Sequence, residues 1–356
     1  MIYLFDVIGA VGDSLCTEPV LRYAIRNLKG QDVRILTNHP RLFKHLGKPM
    51  GLNWEDVGLT FADPNVKHIY NRMELMIDGK IQLHPIVGTM CPHFIHPVDF
   101  LSILMMKRVM PDEDKRIKVE FVDKTAEVEA KAGCKLSELV ILHVGTGAPE
   151  KTRLFPEDYC HTLIEEMVGR GLKVAVFATN DNRGSHTHVE AGAIDLVDKL
   201  DWNEFCTLIA HAPVLVTNDS SPVHLASIFD NWIVALPTVK HPDRLIHPRK
   251  GSRYHKVFAL YQKMMCEDST DVPITNNIVT FNWAGIDPHR GEFLADPATV
   301  AKFAKIAFEG MWPGLGGINP KLGQEWGIGQ EWGGVPNVNE NGHDVRCMCV
   351  ECGGLA

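Results

Sequence analysis

Short apolar runs of strand length alternate with helix-length amphipathic segments through most of this chain, and they do so in two series. In the first, Ile2–Val7 reads as a strand, Gly9–Asp13 as a loop and Thr17–Asn27 as an amphipathic helix. Val33–Thr37 follows as a strand, Pro40–Leu46 as a short helix and Val98–Val109 as a longer one. The stretch from Met50 to Pro97 is less regular, and Asp112–Lys118 is a charged stretch expected on the surface. The second series begins near Leu136. Its strands are Leu139–Val144, Lys173–Ala178, Val214–Thr217 and Trp232–Leu236, and its helices are Pro156–Arg170, Trp202–His211, Pro222–Phe229 and Thr299–Phe308. Such alternation builds a parallel sheet with crossover helices. Two series in tandem predict an α/β chain of two Rossmann-like domains, and 356 residues supply enough apolar surface for two cores. The expected units are residues 1–130, residues 131–290, a closing helix within 291–312 and a tail over 313–356.

The formal charge of −8 argues against a broad basic face that grips nucleic acid. The apolar start Met1-Ile2-Tyr3-Leu4-Phe5 is interrupted by Asp6 and has no basic stretch before it, so it reads as a strand rather than a signal peptide. No apolar run approaches the ~20 residues needed to span a bilayer. These features predict a cytoplasmic protein without a transmembrane segment. Nine cysteines agree with this, because an odd number leaves no complete disulfide set. Six of them are scattered singly: Cys16, Cys91, Cys134, Cys160, Cys206 and Cys266.

Three segments carry candidate chemistry, and each falls where a strand gives way to a helix. The first is Gly12-Asp13-Ser14-Leu15-Cys16-Thr17-Glu18-Pro19. Ligands of open α/β sheets lie at the carboxyl ends of strands, which places Asp13 at a cleft. The spacing is not Gly-x-Gly-x-x-Gly, so a dinucleotide fingerprint is not supported. The plainer role for Asp13 is a helix cap. The second segment is Asn218-Asp219-Ser220-Ser221-Pro222-Val223-His224. Its amides, including that of Val223, and the hydroxyls of Ser220 and Ser221 are candidates for a diphosphate. Asp219 is a candidate acceptor from sugar or ribose hydroxyls. An ordinary capped helix is the alternative. The third is Thr146-Gly147-Ala148-Pro149-Glu150-Lys151-Thr152-Arg153. Here Lys151 and Arg153 are candidates to neutralise phosphates, the alternative being a solvated loop. Histidines cluster at His84 and around His93 and His96, a region that would shape an acceptor pocket if it is more than scattered packing. His241 and His247 flank Arg244 and Arg249 near where a nucleotide would lie.

Taken together, these segments resemble glycosyltransferase family 9, the ADP-heptose–lipopolysaccharide heptosyltransferases and their relatives. The family's Gly-Asp with a downstream Pro is matched by Gly12, Asp13 and Pro19. Its Asp-Ser/Thr-Gly-x-x-His is matched by Asp219, Ser220 and His224, with Ser221 in the glycine position. Its basic residue before a Pro-Glu pair is matched by Arg153 before Pro156-Glu157. Leu236-Pro237-Thr238 departs from the family's Gly-x-Thr, so the heptose donor is not carried over. The resemblance implies GT-B architecture, two Rossmann-like domains facing across a cleft. It also implies an inverting transfer from a nucleotide-diphosphate sugar to an acceptor hydroxyl. Asp13 would act as general base. Lys151, Arg153, Asp219, Ser220, Ser221, Val223 and His224 would hold the donor. No cofactor is required by that scheme. A saccharide or lipid-linked saccharide is the expected acceptor. A hydroxylated DNA base is the alternative, nucleic acid entering only as acceptor. An epimerase or a nucleotide-sugar binding module are other uses of the same fold. Asp112-Glu113-Asp114 spells Asp-x-Asp, a metal signature of a different glycosyltransferase fold, and reads here as solvated charge.

From Pro313 onward glycine is dense, and a six-residue unit occurs twice, at Gly323–Ile328 and Gly329–Gly334. That composition predicts a flexible or surface-draped tail. At its end, His343, Cys347, Cys349 and Cys352 form a candidate structural zinc set, since three thiolates and an imidazole are an ordinary tetrahedral donor set. A tail with little apolar surface gains stability from such a metal.

Overall fold

The computed structural model describes residues 1–60, 64–70, 72–77, 80–85, 95–143, 145, 155–178, 188–236, 245–247, 256–259 and 296–310. The first series of elements forms a parallel sheet of β1 (Ile2–Asp6), β2 (Asp32–Leu36), β3 (Met50–Gly51) and β4 (Val66–Tyr70), in the order β3-β2-β1-β4. β5 (Arg72–Ile77) and β6 (Lys80–Pro85) pair antiparallel beside it as a separate ribbon. The second series forms a six-stranded parallel sheet from β7 (Leu139–His143), β8 (Lys173–Val176), β9 (Ile194–Asp195), β10 (Val214–Asn218), β11 (Trp232–Leu236) and β12 (Val257–Ala259). Its order is β12-β11-β10-β7-β8-β9. This is the doubly wound arrangement, in which strand order reverses between the first and fourth strands and leaves a crevice there. The four-stranded sheet has the same reversal between β1 and β4.

The burial pattern explains why β7, β10 and β11 read as continuous apolar runs. Every residue of the three is buried, as expected of strands covered on both faces. Their side chains alternate between two cores. Leu139, Ile141, Leu215, Ile233 and Ala235 face one cluster, while Val140, Leu142, Val214, Val216 and Val234 face the other. Helices α4 (Glu157–Gly169) and α7 (Pro297–Phe308) cover the second cluster through Leu163, Met167, Phe303 and Ala304. The first cluster is shared between the sheets. It joins Phe5, Val7, Val33 and Ile35 to Leu139, Ile141 and Leu215, with Leu208 of α5 (Trp202–His211) and Leu225 of α6 (Ser221–Ala226) between them. Each fully buried Leu or Ile contributes about 1.5–3 kcal/mol, so this shared layer fixes the two sheets against each other.

Two local readings change. Helix α1 spans Val11–Asn27, so Gly12 and Asp13 lie in its first turn rather than in a loop, and Pro19 sits inside it. Pro19 has no N–H to give the preceding turn, yet the helix carries on because Leu15, Val20, Leu21 and Ala24 bury its apolar side. The charged stretch Asp112–Lys118 is not solvated throughout. Asp114 and Lys115 are buried, and Arg26 makes a two-pronged ion pair with Asp114, at 2.5 and 2.9 Å. Lys115 pairs with Asp99 and Asp112. Glu18, fully buried on α1, accepts from Arg22 Nε (2.8 Å) and the Lys118 backbone N–H (2.9 Å), and it contacts His45 Nε2 (2.9 Å). Charge complementarity with α1 pulled the stretch down. Asp114 is thereby engaged with arginine, which removes it from an Asp-x-Asp metal role.

The expected boundary between the two units, at residue 130, falls within a helix, α3 (Thr125–Ala132), tied to α5 by Lys131 and Glu204. Helix α2 spans Pro97–Met106. The short helix expected over Pro40–Leu46 is two single 3₁₀ turns. No helix among the described residues is long and apolar enough to cross a membrane.

Candidate functional site

Each sheet positions its crevice with an asparagine. After β1, the Gly9 N–H donates to Asn38 Oδ1 (3.1 Å), and Asn38 Nδ2 donates back to the Gly9 carbonyl (2.9 Å). His39 Nε2 also lies 3.0 Å from that carbonyl, and burial lowers the His39 pKa. The loop from strand to helix is therefore pinned just before α1 begins. After β7, Asn218 at the end of β10 reaches across the strand-order reversal and donates to the Gly145 carbonyl at 3.3 Å. His143, the last residue of β7, is fully enclosed against Phe177 and hydrogen-bonded by Asn218. Burial pushes its imidazole down to about 4, so it is neutral at physiological pH.

Asp13 is the third residue of α1 and is half-buried. The cap position belongs to Ala10, whose carbonyl accepts from the Ser14 N–H, so Asp13 is not the cap. Its carboxylate lies in the first turn, where a negative charge is favoured. Asp219 is buried, and Ser220 and Ser221 are half-buried. Ser220 occupies the cap of α6 in an extended conformation without a side-chain cap bond, so its hydroxyl is not spent there. The amide cradle is narrower than the sequence suggests. The Ser220 N–H bonds to the Asn218 carbonyl, the Val223 N–H bonds to the Ser220 carbonyl, and Pro222 has none. The Val223 side chain is wholly in the core. α6 is also only six residues long, shorter than the Pro222–Phe229 expectation.

Where α1 meets α6 the two halves touch. A Cβ built on Gly12 would stand 3.3 Å from His224 Cδ2 and 3.9 Å from the Ser221 Cα, so glycine permits this approach. The first turn of α1, which carries Asp13, thus packs against the segment that carries Ser221 and His224. His224 turns its Nδ1 toward Cys16 Sγ at 3.9 Å, and His247 places Nε2 3.5 Å from the same sulfur. The His96 ring stands edge-on to His247 at 4.1 Å, and its Nδ1 accepts from the Val98 N–H to cap α2. Sequence reasoning missed Cys16 as part of this cluster. It lies 208 and 231 residues from its two histidines, so no local spacing announces it. Lys151 and Arg153, and the tail with His343, Cys347, Cys349 and Cys352, lie outside the described residues, as do His93, His241, Arg244 and Arg249.

The family model for glycosyltransferase family 9 (heptosyltransferase) matches residues 110–272. No curated protein matches the sequence at a significant level. Among solved structures, the chain is similar to the family 9 glycosyltransferase from Veillonella parvula, with TM-score 0.53 and 12% identity over 87% of this chain and 97% of that one. It is also similar to the ADP-heptose LPS heptosyltransferase II of E. coli, with TM-score 0.55 and 12% identity over 87% and 99%. The shared feature at that identity is the fold, two Rossmann-like sheets facing across a cleft.

Proposed function

We propose that this chain, whose residues 110–272 match the family 9 model, is a glycosyltransferase that moves a sugar from a nucleotide-diphosphate donor to an acceptor hydroxyl with inversion. The observation that carries this reading is the close approach of the first turn of α1 to His224, with 3.3 Å left for a Cβ at Gly12. It supports a reading in which Asp13, next to Gly12, works opposite Asp219, Ser220 and Ser221.

In this scheme Asp13 accepts the acceptor's proton as its oxygen attacks the anomeric carbon from the face opposite the leaving group. The nucleoside diphosphate departs with growing negative charge. Lys151 and Arg153 neutralise that charge, Arg through a planar fork suited to phosphate. Asp219 accepts from donor hydroxyls, and the Ser220 and Ser221 hydroxyls donate to donor oxygens. His224 contacts the donor through Nε2, the nitrogen on the side of Gly12. The acceptor is a saccharide or a lipid-linked saccharide.

Positioned general-base catalysis is worth roughly 10²–10⁴-fold. Asp13→Asn is therefore expected to lower kcat by about 10²–10⁴-fold. Donor affinity, read by titration calorimetry with a nucleotide sugar, stays near that of the unmodified protein. Near-normal turnover by the folded variant would show that the base lies elsewhere.

A further inference from the structure

We propose that Cys16, His224 and His247 form a binding site for a divalent metal ion of the zinc class that ties the two halves of the molecule together. Three observations combine here. The donor atoms Cys16 Sγ, His224 Nδ1 and His247 Nε2 all lie within 4.8 Å of one another, and all three residues are buried. The sulfur is 3.5 Å from one nitrogen and 3.9 Å from the other. Around a tetrahedral zinc ion with Zn–S ≈ 2.3 Å and Zn–N ≈ 2.0–2.1 Å, sulfur and nitrogen stand about 3.6 Å apart. Both sulfur–nitrogen distances lie within a few tenths of an ångström of that spacing.

The donor chemistry narrows the ion. One thiolate with two imidazoles suits zinc and its spectroscopic substitute cobalt(II), and suits magnesium or calcium poorly. On binding, the Cys16 thiol loses its proton to solvent and both imidazoles bind neutral, so the occupied centre carries one net positive charge. Three protein ligands leave a fourth position for water or an anionic oxygen.

The origin of the ligands gives the site its consequence. Cys16 comes from α1, in the second turn after β1. His224 comes from α6, after β10. His247 comes from a short described stretch between β11 and β12. Metal binding couples the helix bearing Asp13 to the segment bearing Asp219, so it holds the cleft in one geometry. His224 serves both roles without conflict, because Nδ1 faces Cys16 while Nε2 faces Gly12. His96, packed on His247 with Nδ1 engaged by Val98, braces the His247 ring. Such outer-shell packing commonly orients a ligating imidazole.

The test must separate this centre from the tail cysteines and from the cysteine-free group His161, His188 and Glu190. The full chain is prepared with Cys347→Ser, Cys349→Ser and Cys352→Ser, and cobalt(II) is titrated in. The expected result is binding near one equivalent, with a near-ultraviolet thiolate-to-cobalt band and visible bands of a tetrahedral centre. Adding Cys16→Ser removes the near-ultraviolet band. His247→Gln weakens cobalt binding by about 100-fold or more, since even supporting residues are worth 10–100-fold. Zinc raises the melting temperature of the Cys16-containing protein and not that of Cys16→Ser. If Cys16→Ser does not fold, the His247→Gln titration decides. No thiolate band in the tail-substituted chain overturns the proposal. So does a band that persists through Cys16→Ser, or unchanged affinity in His247→Gln.

Discussion

The two strand-order reversals of this molecule solve one problem with different materials. At the first, the loop after β1 is clamped by Asn38, which is exposed, and the helix that follows carries a half-buried carboxylate. At the second, the loop after β7 is clamped by Asn218, which is buried beside a fully buried His143 and a buried Asp219. The first crevice is open to solvent at its Asn38 clamp and built on a helix start. The second is desolvated and built on strand ends. Electrostatic interactions strengthen as water is excluded, so charges at the second crevice act more strongly than those at the first.

The halves differ again in where charge is buried. α1 carries Glu18 into the interior and answers it with Arg22, His45 and the Lys118 amide. The strand ends of the second half set the neutral His143 and Asn218 beside the buried Asp219. Removing one partner of a buried pair leaves uncompensated charge, so Glu18→Ala should cost about 3–5 kcal/mol of unfolding free energy in urea. A loss below about 1 kcal/mol would mean that the pair is no stronger than a surface one and that the contrast is false.

The buried His143 makes a pH prediction. His143 titrates near 4 in the folded chain and near 6.5 when unfolded, so the unfolded state binds more protons between those values. Its contribution is fully present above pH 6.5 and is lost as pH falls toward 4, on the order of 3 kcal/mol in total. Denaturation across pH 4–7 should show His143→Asn losing less stability on acidification than the unmodified chain. Parallel curves would place the acid sensitivity elsewhere.

The asparagine clamps give the sharpest contrast. Asn218→Ala exposes no new solvent path to the Gly145 carbonyl or to His143, so it should cost about 1–3 kcal/mol. Asn38→Ala leaves groups that water can reach, and should cost about 0.5–1.5 kcal/mol. Equal losses, compared by thermal melts of both variants, would show that solvent reaches the two crevices alike.

Much of this was legible in order along the chain. Leu139–His143, Val214–Asn218 and Trp232–Leu236 are short apolar runs with polar ends, and a parallel strand buried on both faces has no other composition to use. The two polar segments stood where strands end, and the structure puts Asp13 in the first turn of α1 and Asp219 directly after β10. Other elements misled. The helix start at Val11 was hidden because Gly12 and Pro19 both discourage a helix by local propensity, and tertiary burial of Leu15 and Val20 overrode them. The Asp112–Lys118 stretch looked solvated because its partners Arg22 and Arg26 lie about 90 residues earlier.

The sequence by itself determined the alternation of elements, and through it the parallel sheets, their buried strands and the placing of polar loops at strand ends. These depend on periodicity and local sterics, which act between near neighbours. Only the tertiary structure decided that Gly12 leaves room for His224, that Glu18 meets Lys118, and that Cys16 lies between two histidines more than 200 residues away. Those pairings depend on how two sheets dock through a shared apolar layer. Docking is set by the summed shape of many side chains, which no local pattern along the chain records.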